Sequence, residues 1–261
     1  MKTILNYQLL NKLLSEGNSY KEIVQKTGYN SNSVYGYFYK KFGKLNDRNK
    51  SRRQIIKISN FQNEVLFGTL LGDGNIQKFG KSFIGRTNHS ISQKDYCLYK
   101  QSLLNNLTYN VKYVDKTVNN KIYKQCYFCL KPNESLKDLY NMFYSKNKKD
   151  IPLDLSLLTP LAMAIWFMDD GTASSKCSIS IATCSFSLES LLRLQKYLLD
   201  TYNIKITIQK DFKIYFEVKS AKIFYELVKP YIIDSMMYKF KFLNSLSADL
   251  KSDELLESLE N

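Results

Sequence analysis

Residues 66–74 read LFGTLLGDG and residues 163–171 read MAIWFMDDG. Each is an apolar run of helical character closed by an Asp-Gly pair, Asp73-Gly74 and Asp170-Gly171. Ser59-Asn60 caps the first predicted helix, and Thr159-Pro160 supplies the cap and the fixed first-turn residue of the second. Gly74 and Gly171 are expected where the helices stop. A carboxylate in a helix's last turn faces the negative end of the macrodipole, at a cost of about 0.3–1 kcal/mol unless a cation or donor compensates. Two such placements in one chain call for a reason. Gly68 and Gly72 make a smooth face that admits another helix closely, and Ala162 and Ala164 begin the second helix with small side chains. If the two helices pack in parallel, Asp73 and Asp170 arrive side by side.

Carboxylates about 4 Å apart repel by several kcal/mol at an effective dielectric of about 20, so such a pair shares a proton or holds a divalent metal. With oxygen ligands alone that metal is a hard cation such as Mg²⁺. One helix end followed by an Asp-Gly turn is ordinary. Two at matching positions are not.

The 261-residue chain is long enough for a sizeable core in one large domain or two to three small modules. Lys and Arg number 38 against 24 acids, a net charge of +14 with pI near 9.3. That balance points to a polyanionic partner, nucleic acid rather than membrane, because no apolar run approaches spanning length. The start, MKTILNYQLLNKLL, soon turns polar and lacks a small-residue cleavage site, so no secretory signal is read. Five cysteines without framework spacing fit a reducing compartment, and the lone Cys126-x-x-Cys129 pair argues against zinc. His89, the single histidine, excludes mechanisms that need two. Chemistry is left to carboxylates, lysines, hydroxyls and metal. Abundant Lys, Asn, Ile and Tyr suggest an AT-rich genome, phage, bacterial or organellar, and so a cytoplasmic protein, or a mitochondrial matrix one if organelle-encoded.

Residues 1–45 read as a helix-turn-helix module. Helices are expected over 4–14, from a Ser19-x-x-Glu22 capping box through Thr27, and over 32–42 with Asn30 or Ser31 as cap. Ile23, Val24, Gly28 and Val34 follow the spacing of a motif whose second helix enters the major groove, with Asn32, Ser33, Tyr35 and Lys40 facing outward. Residues 46–59 form a basic linker in which Arg52 and Arg53 are candidates to track phosphates.

Beyond Asn60 the chain repeats itself, over 60–152 and again over 153–246. Ser90-Ile91-Ser92 matches Ser185-Phe186-Ser187; Leu103-Leu104 matches Leu198-Leu199; residues 127–131, YFCLK, match 215–219, YFEVK. Matched positions keep their order while loops shorten, as a duplicated unit would. The expected fold is α+β: two pseudo-symmetric αββαββα repeats with saddle-shaped antiparallel sheets, plus the small all-α N-terminal helix-turn-helix. Expected strands cover 75–78, 82–88, 111–117 and 122–131 in the first repeat, with Asn119-Asn120 as a hairpin turn, and 178–183, 204–209 and 213–218 in the second. Polar strand positions are candidates to reach DNA in the major groove. They are Gln77, Lys78, Arg86, Lys112, Lys116, Lys124 and Gln125 in the first repeat, and Lys176, Ser180, Lys205, Gln209, Lys210 and Lys213 in the second. Residues 247–261 form an acidic tail with no assigned function.

Gly68-x-x-x-Gly72-Asp73-Gly74 and the WFMDDG ending at Gly171 resemble the LAGLIDADG homing endonucleases, specifically their single-chain, monomeric branch. Leu71 and Met168 stand where the family's name has its first Asp, which is not the metal ligand there. The resemblance implies that Asp73 and Asp170, with backbone carbonyls of Gly72 and Asp169, hold Mg²⁺ or Mn²⁺ at two scissile phosphates of a long double-stranded DNA target. Lys149 and Lys239, which each follow the last helix of their repeat, match lysines that lie beside the family's metal site and polarise water or offset phosphate charge. It also implies one strand cut per half, a stagger leaving short 3′ overhangs, and a monomer with internal pseudo-twofold symmetry. Two other functions fit the same basic scaffold: an RNA maturase acting on a host intron, and a DNA-binding transcriptional regulator. No His-Asn pair closes the chain at Leu259-Glu260-Asn261, so an intron or free-standing gene is expected rather than an intein.

Overall fold

The computed structural model describes residues 5–18, 20–42, 55–173 and 179–240. The chain divides into two compact units, Met1–Ile55 and Ile56–Asn261.

In the first unit, α1 (Tyr7–Ser15) begins later than the sequence suggests, because Asn6 accepts from the Leu9 amide at 3.0 Å and caps it there. α2 spans Tyr20–Thr27, and Ser19 of the expected capping box lies outside the described residues. Gly28, at φ +65°, turns the chain out of α2. Asn30 then caps α3 (Ser31–Phe42) by accepting from the Asn32 amide at 2.9 Å. Leu10, Ile23, Val34 and Phe38 are the buried core, one residue or more from each helix. Asn32, Ser33, Tyr35 and Lys40 remain exposed on α3, as a groove-reading helix requires.

The second unit is built twice over. Its first half is α4 (Asn60–Leu71), β1 (Asn75–Phe79), β2 (Ser82–Ser90), α5 (Lys94–Leu104), β3 (Lys112–Val118), β4 (Lys121–Cys129) and α6 (Lys137–Phe143). A small hairpin, β5 (Tyr144–Ser145) and β6 (Lys148–Lys149), closes it. The second half is α7 (Pro160–Asp170), β7 (Gly171–Ala173), β8 (Ile179–Ile181), α8 (Leu188–Tyr202), β9 (Ile206–Ile208), β10 (Ile214–Phe216) and α9 (Val218–Val228). Both sheets are antiparallel and share one strand order, β1-β2-β4-β3 and β7-β8-β10-β9. The expected αββαββα duplication is thus present at the level of topology. Asn119 and Asn120, at φ 49° and 59°, make the tight turn between β3 and β4. Among the described residues no helix is long and apolar enough to cross a membrane.

α4 and α7 are apolar on nearly every side, from Val65 to Leu71 and from Leu161 to Met168, so both are buried in the core shared by the two halves. Ser59 and Gln62 form a full capping box on α4, and Thr159 caps α7 ahead of Pro160. The helices run in parallel, since their contacts climb together: Thr159 donates to Glu64 at 2.7 Å near the starts, and the Asp73 amide reaches Asp169 at 3.3 Å at the ends. Between these, a Cβ on Gly68 would lie 2.3 Å from the Ala162 carbonyl oxygen. One expectation is corrected here. The C-cap of α4 is Gly72 rather than Gly74, its amide donating to the Gly68 carbonyl at 3.2 Å, and the Asp169 side chain lies 2.5–2.9 Å from where a Gly72 Cβ would stand.

Gly68→Ala therefore forces the helices apart and should lower stability by about 1–3 kcal/mol, read as a lower urea midpoint. An unchanged midpoint would contradict the close approach.

Candidate functional site

The two helix ends meet in a compact polar centre. Asp169 and Asp170 are neighbours on α7, and successive helical residues project about 100° apart, so they face different surroundings. Asp169 turns inward. Its Oδ1 accepts from Tyr96 at 2.9 Å and Lys100 Nζ at 2.6 Å, and its Oδ2 accepts from Lys100 Nζ at 2.9 Å and the Asp73 amide at 3.3 Å. Both side chains of the Lys100–Asp169 pair are wholly buried. The four contacts use the carboxylate's acceptor capacity, so the Asp169 side chain is a structural group. The single Tyr96 hydroxyl proton is shared with the Ile165 carbonyl, 3.0 Å away, which ties α5 of the first repeat to α7 of the second.

The carboxyls of Asp73 and Asp170 stand apart from the Lys100–Asp169 pair. Burial raises the Asp73 carboxyl, and the charge of Asp169 adds to the rise against the opposing lysines 100, 239 and 149. Asp170 is pushed up to about 7, first by burial, then by the charges of Asp73 and Asp169. Mutual repulsion falls on the member that ionises second. The donor set fits a divalent cation: two carboxylates held together against their repulsion, one retaining a proton to near neutrality, make a place where a cation replaces that proton.

Each helix end carries its own lysine. Lys149, delivered by the β5–β6 hairpin, donates to the carbonyls of Gly72 and Gly74 at 3.0 and 3.1 Å. Lys239, on a 3-10 helix over Asp234–Phe240, donates to Met168 and Asp169 carbonyls at 2.7 and 2.9 Å. These cations sit at the negative ends of the two helix dipoles and supply the compensation that the terminal carboxylates demand. Burial lowers the proton affinity of both lysines, and the three acids oppose that shift. The carbonyls expected to face metal, those of Gly72 and Asp169, are the same ones that hold the lysines; each carbonyl keeps a second lone pair.

His89, on β2, was assigned no part by the sequence reading. Its Nδ1 lies 3.6 Å from Asp73 Oδ2, and burial, followed by the charge of Lys100, lowers its pKa to about 4. The imidazole is therefore neutral above that pH. Lys100 and Tyr96 were also missed. The available signal was the first acid of the WFMDDG motif, Asp169, which needs a buried partner if only one acid does chemistry.

Strand parity sorts the nucleic-acid candidates. Registers place Gln77, Arg86, Gln125, Lys112 and Lys116 on the open face of the first sheet. Lys78 and Lys124 pair with Phe83 and Asp115 on the opposite, helix-side face, and Lys78 stacks over the Tyr140 ring of α6. Both nonetheless remain exposed, Lys124 on a hairpin whose outer part is open to solvent on either side. Asn75, Asn88, Tyr123 and Tyr127 share the open face, where Arg86 stacks on Tyr127 at 3.9 Å. On the second sheet Ser180 points to the open face but is buried in the row of Thr172 and Tyr215, which removes it as a contact. Lys205, Gln209 and Lys210 are exposed; Lys213 is half-buried against Tyr215. Lys176, Arg52 and Arg53 lie outside the described residues.

Fold and site together define a single-chain, internally duplicated protein with an acid-and-lysine centre where two parallel motif helices end. The chain belongs to the LAGLIDADG DNA endonuclease family, whose model matches residues 63–224. It is 32% identical to DNA endonuclease I-ChuI of Chlamydomonas applanata, over 68% of this chain and 93% of that one. It is 33% identical to cytochrome b mRNA maturase bI2 of Debaryomyces hansenii, over 67% and 72%. Among solved structures it is similar to the homing endonuclease I-WcaI bound to its DNA recognition sequence, with a TM-score of 0.66 and 25% identity over 84% of this chain and 97% of that one.

Lys100→Met should cost about 3–5 kcal/mol, because it strands a buried carboxylate. Pairing it with Asp169→Leu should recover most of the loss in a double-mutant cycle read by urea unfolding. For Asp170, the folded state binds more protons than the unfolded state between about pH 4 and 7, so stability falls as pH rises through that window. In EDTA, Asp170→Asn should be more stable than the parent at pH 8, by on the order of 1–3 kcal/mol, with the difference vanishing below about pH 4.

Proposed function

We propose that this chain is a site-specific endonuclease that hydrolyses both strands of a DNA duplex with Mg²⁺ or Mn²⁺, leaving short 3′ overhangs. The observation that carries this reading is the arrival of Asp73 and Asp170 together at the ends of two parallel helices, one from each repeat. I-ChuI carries the name of a DNA endonuclease, and I-WcaI binds a DNA recognition sequence, which supports duplex DNA as the partner. Asp73 and Asp170 would hold the divalent metal, which would supply Lewis-acid polarisation of a phosphate and a lowered pKa for attacking water.

The chain's own groups do the rest. Asp73 and Asp170 give up their remaining proton on loading and orient one scissile phosphate each. Lys149 and Lys239 hold the helix-end carbonyls in place and set positive charge beside the phosphates, where negative charge grows in the transition state. The open sheet faces, with Arg86, Lys112, Lys116, Gln77 and Gln125 on one and Lys205 and Gln209 on the other, contact base edges and phosphates over a long site. The first unit presents its own DNA-reading surface on exposed α3, with Asn32, Ser33, Tyr35 and Lys40. The protein acts as a monomer, since both halves of the centre come from one chain.

The likeness to a cytochrome b mRNA maturase favours, as a second reading, the same basic surface acting on intron RNA. Cleavage of a randomised plasmid library in Mg²⁺, mapped by sequencing, separates the readings. The parent should give discrete staggered cuts, and Asp73→Asn and Asp170→Asn should each lower double-strand cleavage by about 10³-fold or more while retaining duplex binding. Tight binding with no cuts would transfer the weight to the maturase.

A further inference from the structure

The duplicated centre is not symmetric. Aligning Ser90-Ile91-Ser92 with Ser185-Phe186-Ser187 sets Cys184, an exposed residue, opposite His89. His89 is 4% exposed and points from β2 into the centre. Its Nε2 is engaged with Thr87 Oγ1 at 3.1 Å, while its Nδ1 is buried without a hydrogen-bond partner. The 3.6 Å from that nitrogen to Asp73 Oδ2 is too long for an N–H···O bond. It is the separation of two ligand atoms each about 2.1 Å from one cation at a roughly tetrahedral angle.

Ligand atoms of Asp73, His89 and Asp169 lie within 4.8 Å of one another, the one such group of His, Cys, Asp and Glu among the described residues. Asp169 is already saturated by Lys100, Tyr96 and the Asp73 amide, so it frames the space without donating to it. What remains is one carboxylate oxygen and one unpartnered imidazole nitrogen facing each other. Oxygen-only sites take Mg²⁺; an imidazole donor shifts preference toward borderline transition metals.

We infer that Asp73 and His89 form a carboxylate–imidazole cation site confined to the first repeat, selective for Co²⁺ or Zn²⁺ over Mg²⁺. Asp170, in the second repeat, keeps oxygen donors alone. The consequence that the two strands meet unlike cations rests on the nuclease reading; the site itself does not.

The single histidine makes the test direct. Untagged full-length protein is titrated with Co²⁺ in the absence of DNA, and the ring protons of His89 are followed by NMR. Ligation should move them out of the diamagnetic range in a saturable way, while Mg²⁺ at the same concentration leaves them in place. Because Co²⁺ held by Asp73 alone would also shift nearby protons, the deciding variant is His89→Gln, which should weaken Co²⁺ binding by about tenfold or more while Cys184→Ser leaves it unchanged. Co²⁺ binding unaltered by His89→Gln overturns the inference. Ring protons that stay within the diamagnetic range at saturating Co²⁺ overturn the inference. Plasmid cleavage in Mg²⁺ is scored on the same preparation. Cutting without the shift removes the histidine site and leaves the nuclease; the shift without cutting retains the site and removes the nuclease.

Discussion

Gly68 lies so close to the backbone of α7 that a single added methyl would come within 2.3 Å of the Ala162 carbonyl oxygen. That approach makes α4 and α7 one parallel pair, and the remaining arrangement follows from it. Parallel helices of similar length end together, so the acids that follow them are forced into one place. Their dipoles also end together, concentrating negative potential where two carboxylates already repel. Lys149 and Lys239 answer this, each closing the repeat to which it belongs and each donating to carbonyls at the end of a motif helix. A centre balanced in this way is charged, partly buried and ready to exchange a proton for a cation.

Much of this was legible in the sequence because it is written locally. Caps at Ser59 and Thr159, the glycines of the first motif and the closing Asp-Gly pairs each act over a few residues, and all were readable. Duplication was legible too, since matched strands and helices recur in order. The features that stayed hidden depend on distance in the chain or on strand register. Lys100 looks like any solvated helix lysine until α5 is placed against α7. Lys78 and Lys124 look like their basic neighbours until parity puts them on the other face. Ser180 lies on the intended face yet is buried, between its cross-strand neighbours Thr172 and Tyr215. Gly72, rather than Gly74, ends α4, and what requires a glycine there is the Asp169 side chain of the other repeat.

The two acids of WFMDDG show how position separates chemically identical groups. Asp169 is buried, fully hydrogen-bonded and paired with Lys100; Asp170 is shifted upward and left to share the centre with Asp73. One rotation of about 100° along α7 decides which acid is structural and which is reactive.

A buried ion pair is weak evidence for stability, since desolvating both charges consumes most of their attraction. Its value here lies in specificity. Lys100 belongs to the first repeat and Asp169 to the second, and two apolar helices facing each other could slide by one turn at little cost in buried area. Such a slide would strand a lysine and a carboxylate in the core, which is costly, and would separate Asp73 from Asp170. The pair therefore fixes the register in which the two halves meet, and that register is what keeps the reactive acids together.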